Sequence, residues 1–536
     1  MGGNYRPRRR EPAAVKRDSG RRARPARRAD PRRTAYDVLA AVHDREAYAN
    51  LLLPRLLAER GLAGRDAALA TELAYGTLRG LGTYDAVLAA CSDRLLDKLD
   101  PPVLDVLRLG AHQLLNTRVG AHAAVATSVD LAKSVIGPRV SGYVNAVLRR
   151  VATRDLAAWL DIVAPDPAAD RDGHLAVRYS HPRWIVAAYR DALGDAADDP
   201  APATVIGTVS PAAETSAAET AVTASHDAPP ATHGDKEPTG GAAVTELAAA
   251  LAAGNARPRV TLATFPSGLP REDVMPAGAE PGRWSPYAFT LQSGDPTPLT
   301  ESGAAAVQDE GSQLAAIALS QAPVIPRAAQ HKEHDKGQAE RWLDMCAGPG
   351  GKSRMLFGLA ADSGASLVAA ELHPHRAALV TDALTRAGRP GMAPPAVIVA
   401  DGTHPAWPDG AFDRVLVDVP CSGLGALRRR PEARWRKSEA DLKELTALQR
   451  DLLRSALAAV RPGGVVGYVT CSPVPAETRG VVTDVAASMP GVEILDAPAA
   501  LGDVPGARSA NPLFAQLWPH RHGTDAIFIA LLRRGA

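Results

Sequence analysis

Two cysteines sit where an apolar run gives way to a loop: Cys421 in VDVPCSGLG and Cys471 in YVTCSP. A thiolate is a strong nucleophile, so a cysteine held at such an edge could form a covalent bond to a substrate. The residues alone leave open which of the two would attack. The chain has four cysteines, and Cys91, Cys421 and Cys471 are each followed by serine. Cys91, in a helical stretch, and Cys346, after an apolar run, read as packing residues, the usual fate of a free cysteine. No C-x-x-C pair occurs, so neither a zinc site nor a disulfide framework is expected.

A second stretch could hold a ligand. LDMCAGPGGKS, from Leu343 to Ser353, reads as a strand, a Gly-rich turn and a helix start. It is not a phosphate-binding loop, because the position five residues before Gly351 is Cys346 rather than glycine. The dinucleotide spacing G-x-G-x-x-G is absent too. What remains is a turn that lets backbone N–H groups approach a ligand closely, such as an amino-acid carboxylate. Acidic residues then close successive apolar runs: Glu371 in SLVAAE, Asp401 in AVIVAD and Asp418 in LVDVP. Glu371 stands at the distance past the loop where ribose hydroxyls are bound in such units. A nucleoside carrying an amino acid, such as S-adenosyl-L-methionine, suits this arrangement.

These groups need elements to position them. From Val307 onward, RWLDMC, SLVAAEL, AVIVAD, DRVLVDV and VVGYVT have the look of buried parallel strands, with helical stretches between them. The clearest helix runs from Glu439 to Val460, with Leu442, Leu445, Leu448, Leu452, Leu453, Leu457 and Val460 marking its apolar face. Alternating strands and helices imply a doubly wound sheet, whose ligands bind beyond the carboxyl ends of the strands. Thr34 to about Val151 shows helical periodicity instead, punctuated by Pro101-Pro102 and Gly137-Pro138. Pro258 to Thr300 holds short strand-like pieces and predicts a small α/β subdomain.

Composition bounds the rest. The 536 residues carry a formal net charge of +2 and are 46% apolar. Arginine crowds the segment from Arg6 to Arg33, a charged tail that suits a polyanion. Residues 196–245 are rich in Ala, Thr, Pro and Asp and read as a disordered insert. Pro326 to Ala339 reads as a surface loop. No apolar stretch is long enough for a membrane span and no signal peptide is evident, so a cytoplasmic protein with reduced thiols is expected.

The motifs DMCAGPGGKS, DRVLVDVPCSGLGALRRRPEARWRK and YVTCSPVPAET together resemble the Sun-type RNA cytosine-5 methyltransferases. VQDEGSQLAA, residues 307–316, is similar to the stretch before that family's catalytic fold. SVDLAKSVIGPRVSGYVNAVLRR, residues 128–150, resembles the end of the NusB-like domain that marks the RsmB-like branch. The resemblance covers about 34–193 and 258 to the C-terminus. It implies an N-terminal all-α NusB-like helical domain and a C-terminal α/β Rossmann-like class I methyltransferase fold. The implied division is a basic tail (1–33), an RNA-binding NusB-like domain (34–155), a helical linker (156–195), the insert (196–245), the small subdomain (246–305) and the methyltransferase domain (306–536).

The resemblance further implies S-adenosyl-L-methionine as cofactor. Cys346, Ala347, Gly348, Pro349, Gly350, Gly351 and Lys352 would form its loop. Glu371 would take the ribose, Asp401 the adenine side, and Asp418 would lie between cofactor and base. The implied nucleophile is Cys471, with Cys421 releasing the product, Asp418 stabilising charge near N3 of the base, and Lys352 tuning a thiol or touching the cofactor. DNA cytosine methyltransferases use the P-C cysteine, which would favour Cys421. Gly348 replaces the family's usual alanine, Glu371 its commoner aspartate, and VTLATFP lacks the usual Arg-x-Asn. RRRPEARWRK, Arg428 to Lys437, predicts arginines for phosphate and Trp435 for stacking beside a base splayed from its stack. The expected partner is small-subunit ribosomal RNA, with no metal, no membrane and a monomeric state. The alternatives are the same chemistry on transfer RNA and a non-catalytic RNA-binding assembly factor.

Overall fold

Proline at a first helical turn has its φ pre-set and lacks only an N–H that would go unpaired there. The chain uses this at Pro31 and Pro101, which open the helices Pro31–Arg45 and Pro101–Asn116. The computed structural model describes residues 30–200, 244–292, 294–326, 339–388 and 393–535. Most of the basic tail and of the insert, and the loop at 327–338, lie outside the described residues. The first helix nonetheless starts within the stretch expected as tail. Asp30 caps it by accepting from the Arg32 amide at 2.9 Å, and the Arg32 Nε donates to Gln113 at 2.8 Å.

Helices Ala49–Glu59, Gly64–Cys91, Ala121–Val135 and Ser141–Val151 complete the periodic region. Leu39, Leu73, Leu88, Val106, Leu107 and Leu148 are fully enclosed in their shared core. Each such side chain contributes about 2 kcal/mol by leaving water. The stretch expected as a linker forms three helices, Leu156–Val163, Arg171–Arg178 and Arg183–Leu193. It is not a free tether. Ile185, Val186, Tyr189 and Leu193 share a core with Leu247, Leu251, Leu424, Leu427 and Trp518. The Tyr189 hydroxyl donates to the Leu424 carbonyl at 2.8 Å.

The small subdomain carries an antiparallel sheet of four short strands: β1 (Val260–Thr264), β2 (Glu280–Pro281), β3 (Ala288–Leu291) and β4 (Ala305–Val307), ordered β2-β3-β1-β4. The buried Arg354 ties it to the helix Gly351–Asp362 by donating to the carbonyls of Ala263 at 3.1 Å and Gly303 at 2.9 Å.

The second sheet contains β5 (Arg341–Asp344), β6 (Ser366–Glu371), β7 (Ala396–Val399), β8 (Phe412–Asp418), β9 (Val460–Thr470), β10 (Val492–Leu495), β11 (Ala515–Gln516) and β12 (Phe528–Arg534). Its order is β10-β12-β9-β8-β5-β6-β7, with β11 paired to β12. The five strands expected from sequence are β5 to β9, and the paired neighbours among them run parallel. β12 runs antiparallel between β9 and β10. From β5 the chain builds outward through β6 and β7, then returns to lay β8 on the other side of β5. That reversal opens a crevice at the carboxyl ends of β5 and β8.

The long helix spans Asp441–Ala459 and turns the expected face inward, with one departure. Leu452, Leu453, Ala456 and Leu457 are buried, but Leu448 is 38% exposed. At 100° per residue Leu448 points far from the Leu452–Leu457 direction, whereas Thr446 and Gln449 fall on it. Both polar residues are buried. Val460 belongs to β9.

Candidate active site

β8 and β9 are parallel neighbours, with Asp418 opposite Val469. Their outgoing loops therefore leave the sheet side by side and carry Cys421 and Cys471 to one point. The two sulfurs lie 3.1 Å apart as free thiols. Backbone contacts stitch these loops together. The Gly425 amide donates to the Cys471 carbonyl at 2.8 Å, and the Ala526 amide donates to the Gly425 carbonyl at 2.9 Å.

The two thiols are not equivalent. The hydrogen bond between the two thiols holds the Cys471 pKa below the ordinary thiol value; the Lys352 ammonium acts in the same direction, against burial and the Asp418 charge. The same hydrogen bond, with burial, holds the Cys421 thiol well above its ordinary value. Lys352 Nζ donates to Asp418 Oδ2 at 2.7 Å. Burial alone would lower the Lys352 pKa, but the Asp418 carboxylate more than offsets this and leaves it raised.

The Gly-rich loop joins β5 to the helix Gly351–Asp362. Gly350 adopts φ 106°, a left-handed conformation that favours glycine, and a β-carbon there would press on Ala383. The Gly348 amide donates to Glu371 Oε2 at 3.0 Å, and the His373 amide donates to Glu371 Oε1 at 3.1 Å. A β-carbon on Gly348 would overlap that Glu371 oxygen. The two departures from the family pattern therefore fit each other: the longer acid reaches across to the loop, and glycine leaves room for it. Cys346 is partly buried, and burial pushes its thiol far up.

Sequence reasoning did not single out Asp344, at the end of β5. It accepts from the Ser353 hydroxyl at 2.6 Å, and burial pushes its carboxyl up to about 7. Its Oδ1 and the Gln308 Nε2, beside Gly351, are buried without a hydrogen-bond partner among the described residues. Buried polar atoms of this kind are satisfied by a polar ligand. Asp401 behaves differently from Glu371. Its side chain is 46% exposed, and its carboxylate accepts from the Thr403 amide at 2.9 Å and hydroxyl at 2.7 Å, capping its own turn.

The basic run is not laid out as a stacking surface. Arg428 is buried, donating to Gly523 O at 2.9 Å and to Asp525 at 3.1 Å. Arg429 pairs with the buried Asp525. Arg434, fully enclosed, donates to Ser180 O at 2.9 Å and Asn255 Oδ1 at 2.6 Å. Arg436 donates to the carbonyls of Val42 and Ala47, and Arg430 lies over the Tyr48 ring. Trp435 is 37% exposed and leans on Gly82. The run thus fastens the helical region to the sheet region. Charge in the sequence reads as phosphate binding until the carbonyls that receive it are seen.

An open sheet with one antiparallel strand, a Gly-rich loop after β5 and acids at the ends of β5, β6 and β8 define a Rossmann-like class I methyltransferase. The family described as 16S rRNA methyltransferase RsmB/F matches residues 333–533, and the NusB family matches residues 29–153. The Mycobacterium tuberculosis protein Rv1407, named as a methyltransferase, is 46% identical over 97% of this chain and 99% of its own length. Ribosomal RNA small subunit methyltransferase B of Sodalis glossinidius is 28% identical over 85% of this chain and 89% of that protein. The crystal structure of PH0851 shares the fold, with a TM-score of 0.67 and 20% identity over 94% of this chain and 99% of that one. The chain belongs to the RsmB/F family. It is an S-adenosyl-L-methionine-dependent RNA methyltransferase with an N-terminal NusB helical region. Among the described residues no helix is long and apolar enough to cross a membrane.

Proposed function

We propose that the protein methylates C5 of a cytosine in 16S ribosomal RNA through a covalent bond between Cys471 and C6. The observation that carries this reading is the pair of sulfurs 3.1 Å apart, with opposite pKa directions, beside the Lys352–Asp418 pair. C5 of cytosine is a weak nucleophile. Addition of the Cys471 thiolate to C6 breaks the C5–C6 double bond and places electron density on C5. The cofactor, when bound, supplies a methyl group on a sulfonium. Asp418, paired with the Lys352 ammonium, stabilises the charge that builds at N3. Cys421, held protonated by the same contact that activates its neighbour, assists the later steps. A base takes the C5 proton, the C–H electron pair reforms the C5–C6 double bond, and the C6–S bond breaks to release the Cys471 thiolate.

The loop Cys346–Lys352 and Glu371 hold the cofactor, with Glu371 ordering the loop through the Gly348 amide. Gln308 and Asp344 supply polar atoms toward it. Asp401 contributes through its turn. The helical region serves as an RNA-docking module, and the relatives named for small-subunit ribosomal RNA favour that substrate over transfer RNA. Purified protein and labelled cofactor, given unmodified 16S ribosomal RNA and unmodified transfer RNA in separate reactions, test the reading. Label on C5 of a cytosine is expected. Label only in transfer RNA would move the substrate, and label on no cytosine would overturn the reaction.

A further inference from the structure

The nucleophile and its partner must be held at a fixed separation, yet each sits on a loop. Each cysteine is followed by a serine, and both serines turn inward to one carboxylate. Glu477, 0% exposed, accepts from the Ser422 amide at 2.7 Å, the Ser422 hydroxyl at 2.5 Å and the Ser472 hydroxyl at 2.6 Å. The two hydroxyls are themselves 3.1 Å apart. Gln449 Nε2 donates to Glu477 Oε1 at 3.1 Å and to the Pro420 carbonyl at 2.9 Å. The Tyr468 hydroxyl donates to the Glu477 carbonyl at 2.7 Å. Ser422 and Ser472 thus mirror Cys421 and Cys471: one pair faces the crevice, the other is clamped beneath it.

We propose that Glu477 is a positioning residue that sets the spacing of Cys421 and Cys471 by binding the serine of each Cys-Ser pair. The inference rests on the two-cysteine reading of the site. A buried carboxylate is costly unless its oxygens are satisfied, and here the satisfying donors come from both loops. Moving either loop would strand an acceptor, so the cost of an unpaired group resists separation of the thiols.

The geometry also separates positioning from charge. Oε1 receives donors that cannot reverse, the Ser422 amide and the Gln449 amide. Oε2 receives two hydroxyls, which can donate or accept. Glutamine can therefore replace Glu477, with its carbonyl at the Oε1 site and its NH2 donating to both serine oxygens. A positioning role survives this exchange; a role for the negative charge does not.

The test uses a trivalent arsenical, phenylarsine oxide, which takes both thiols as As–S bonds and releases water. The two-point adduct resists excess monothiol, and Cys421→Ala gives the one-point baseline. In Glu477→Ala we expect loss of the monothiol-resistant adduct and a fall in kcat of about 10²-fold, the scale of an ångström-sized misplacement. KM for the cofactor should stay within about threefold, as binding and chemistry then separate. Glu477→Gln should recover both the adduct and most of kcat. Ser422→Ala with Ser472→Ala keeps the carboxylate and removes only the hydroxyls, and should also weaken the adduct. A wild-type adduct in Glu477→Ala or in the double serine variant would overturn the proposal. So would a Glu477→Gln protein as impaired as Glu477→Ala. The arsenical step uses neither RNA nor cofactor, so absence of RNA methylation by the unmodified protein would count against the reaction and not against the clamp.

Discussion

Cys91–Ser92 and Cys471–Ser472 are the same dipeptide in two regions of the molecule. Cys91 ends the helix Gly64–Cys91 inside the helical core, and burial raises its pKa. Ser92 turns back on its own loop, donating to the Arg94 carbonyl at 2.6 Å and meeting the Tyr143 hydroxyl at 2.7 Å. Cys471 follows β9 at the crevice, shares a hydrogen bond with the Cys421 thiol and stands near Lys352. Cys91 is buried and Cys471 partly buried, and burial pushes both thiols in the same upward direction, so burial alone does not separate their chemistry. The difference lies in the partners that topology supplies: a helix end surrounds Cys91 with apolar side chains, whereas two parallel strand ends give Cys471 a second thiol and an ammonium.

That contrast can be broken in graded steps. Cys471→Ala should abolish methyl transfer, a loss on the order of 10³-fold or more in kcat, measured with labelled cofactor. Lys352→Met should lower kcat by about 10²-fold. It should also move Cys471 toward Cys91 in behaviour. Without the ammonium the thiolate is less favoured, so the midpoint of Cys471 alkylation by iodoacetamide shifts to higher pH. Gly348→Ala places a β-carbon against Glu371 Oε2 and should cost about 1–2 kcal/mol, or about tenfold in cofactor affinity by calorimetry. Adding Glu371→Asp shortens the acid and should recover part of that loss, a coupling that a double-mutant cycle reads directly. Cys91→Ala should be the mildest change. It should lower stability by about 1 kcal/mol in urea unfolding and leave kcat unchanged.

The strands that carry the site were legible because each is a short apolar run ending in a polar or acidic residue, as in RWLD, SLVAAE and FDRVLVD. β12 was less so. Phe528–Arg534 is equally apolar, but its place between β9 and β10 depends on pairing that joins residues far apart in sequence. The Cys-Ser pairs were visible, whereas the reason for their serines was not. Glu477 becomes meaningful only when the loops after β8 and β9 meet the long helix at Gln449. The arginines of 428–436 misled for a related cause: a guanidinium's target can be a phosphate or a buried carbonyl, and the residue type is the same. Asp401 and Glu371 both follow apolar runs, and only the structure separates a carboxylate that ends β6 and binds the Gly-rich loop from one that lies beyond β7 and caps its own turn.

The central claim is that Cys471 attacks the base and Cys421 completes the reaction. Cys421→Ala protein, incubated with cofactor and unmodified 16S ribosomal RNA, then digested and sequenced by mass spectrometry, tests it most directly. The account predicts an RNA adduct that accumulates through Cys471 to C6 of a C5-methylated cytosine. Normal turnover by this variant, or an adduct through any other residue, would contradict it.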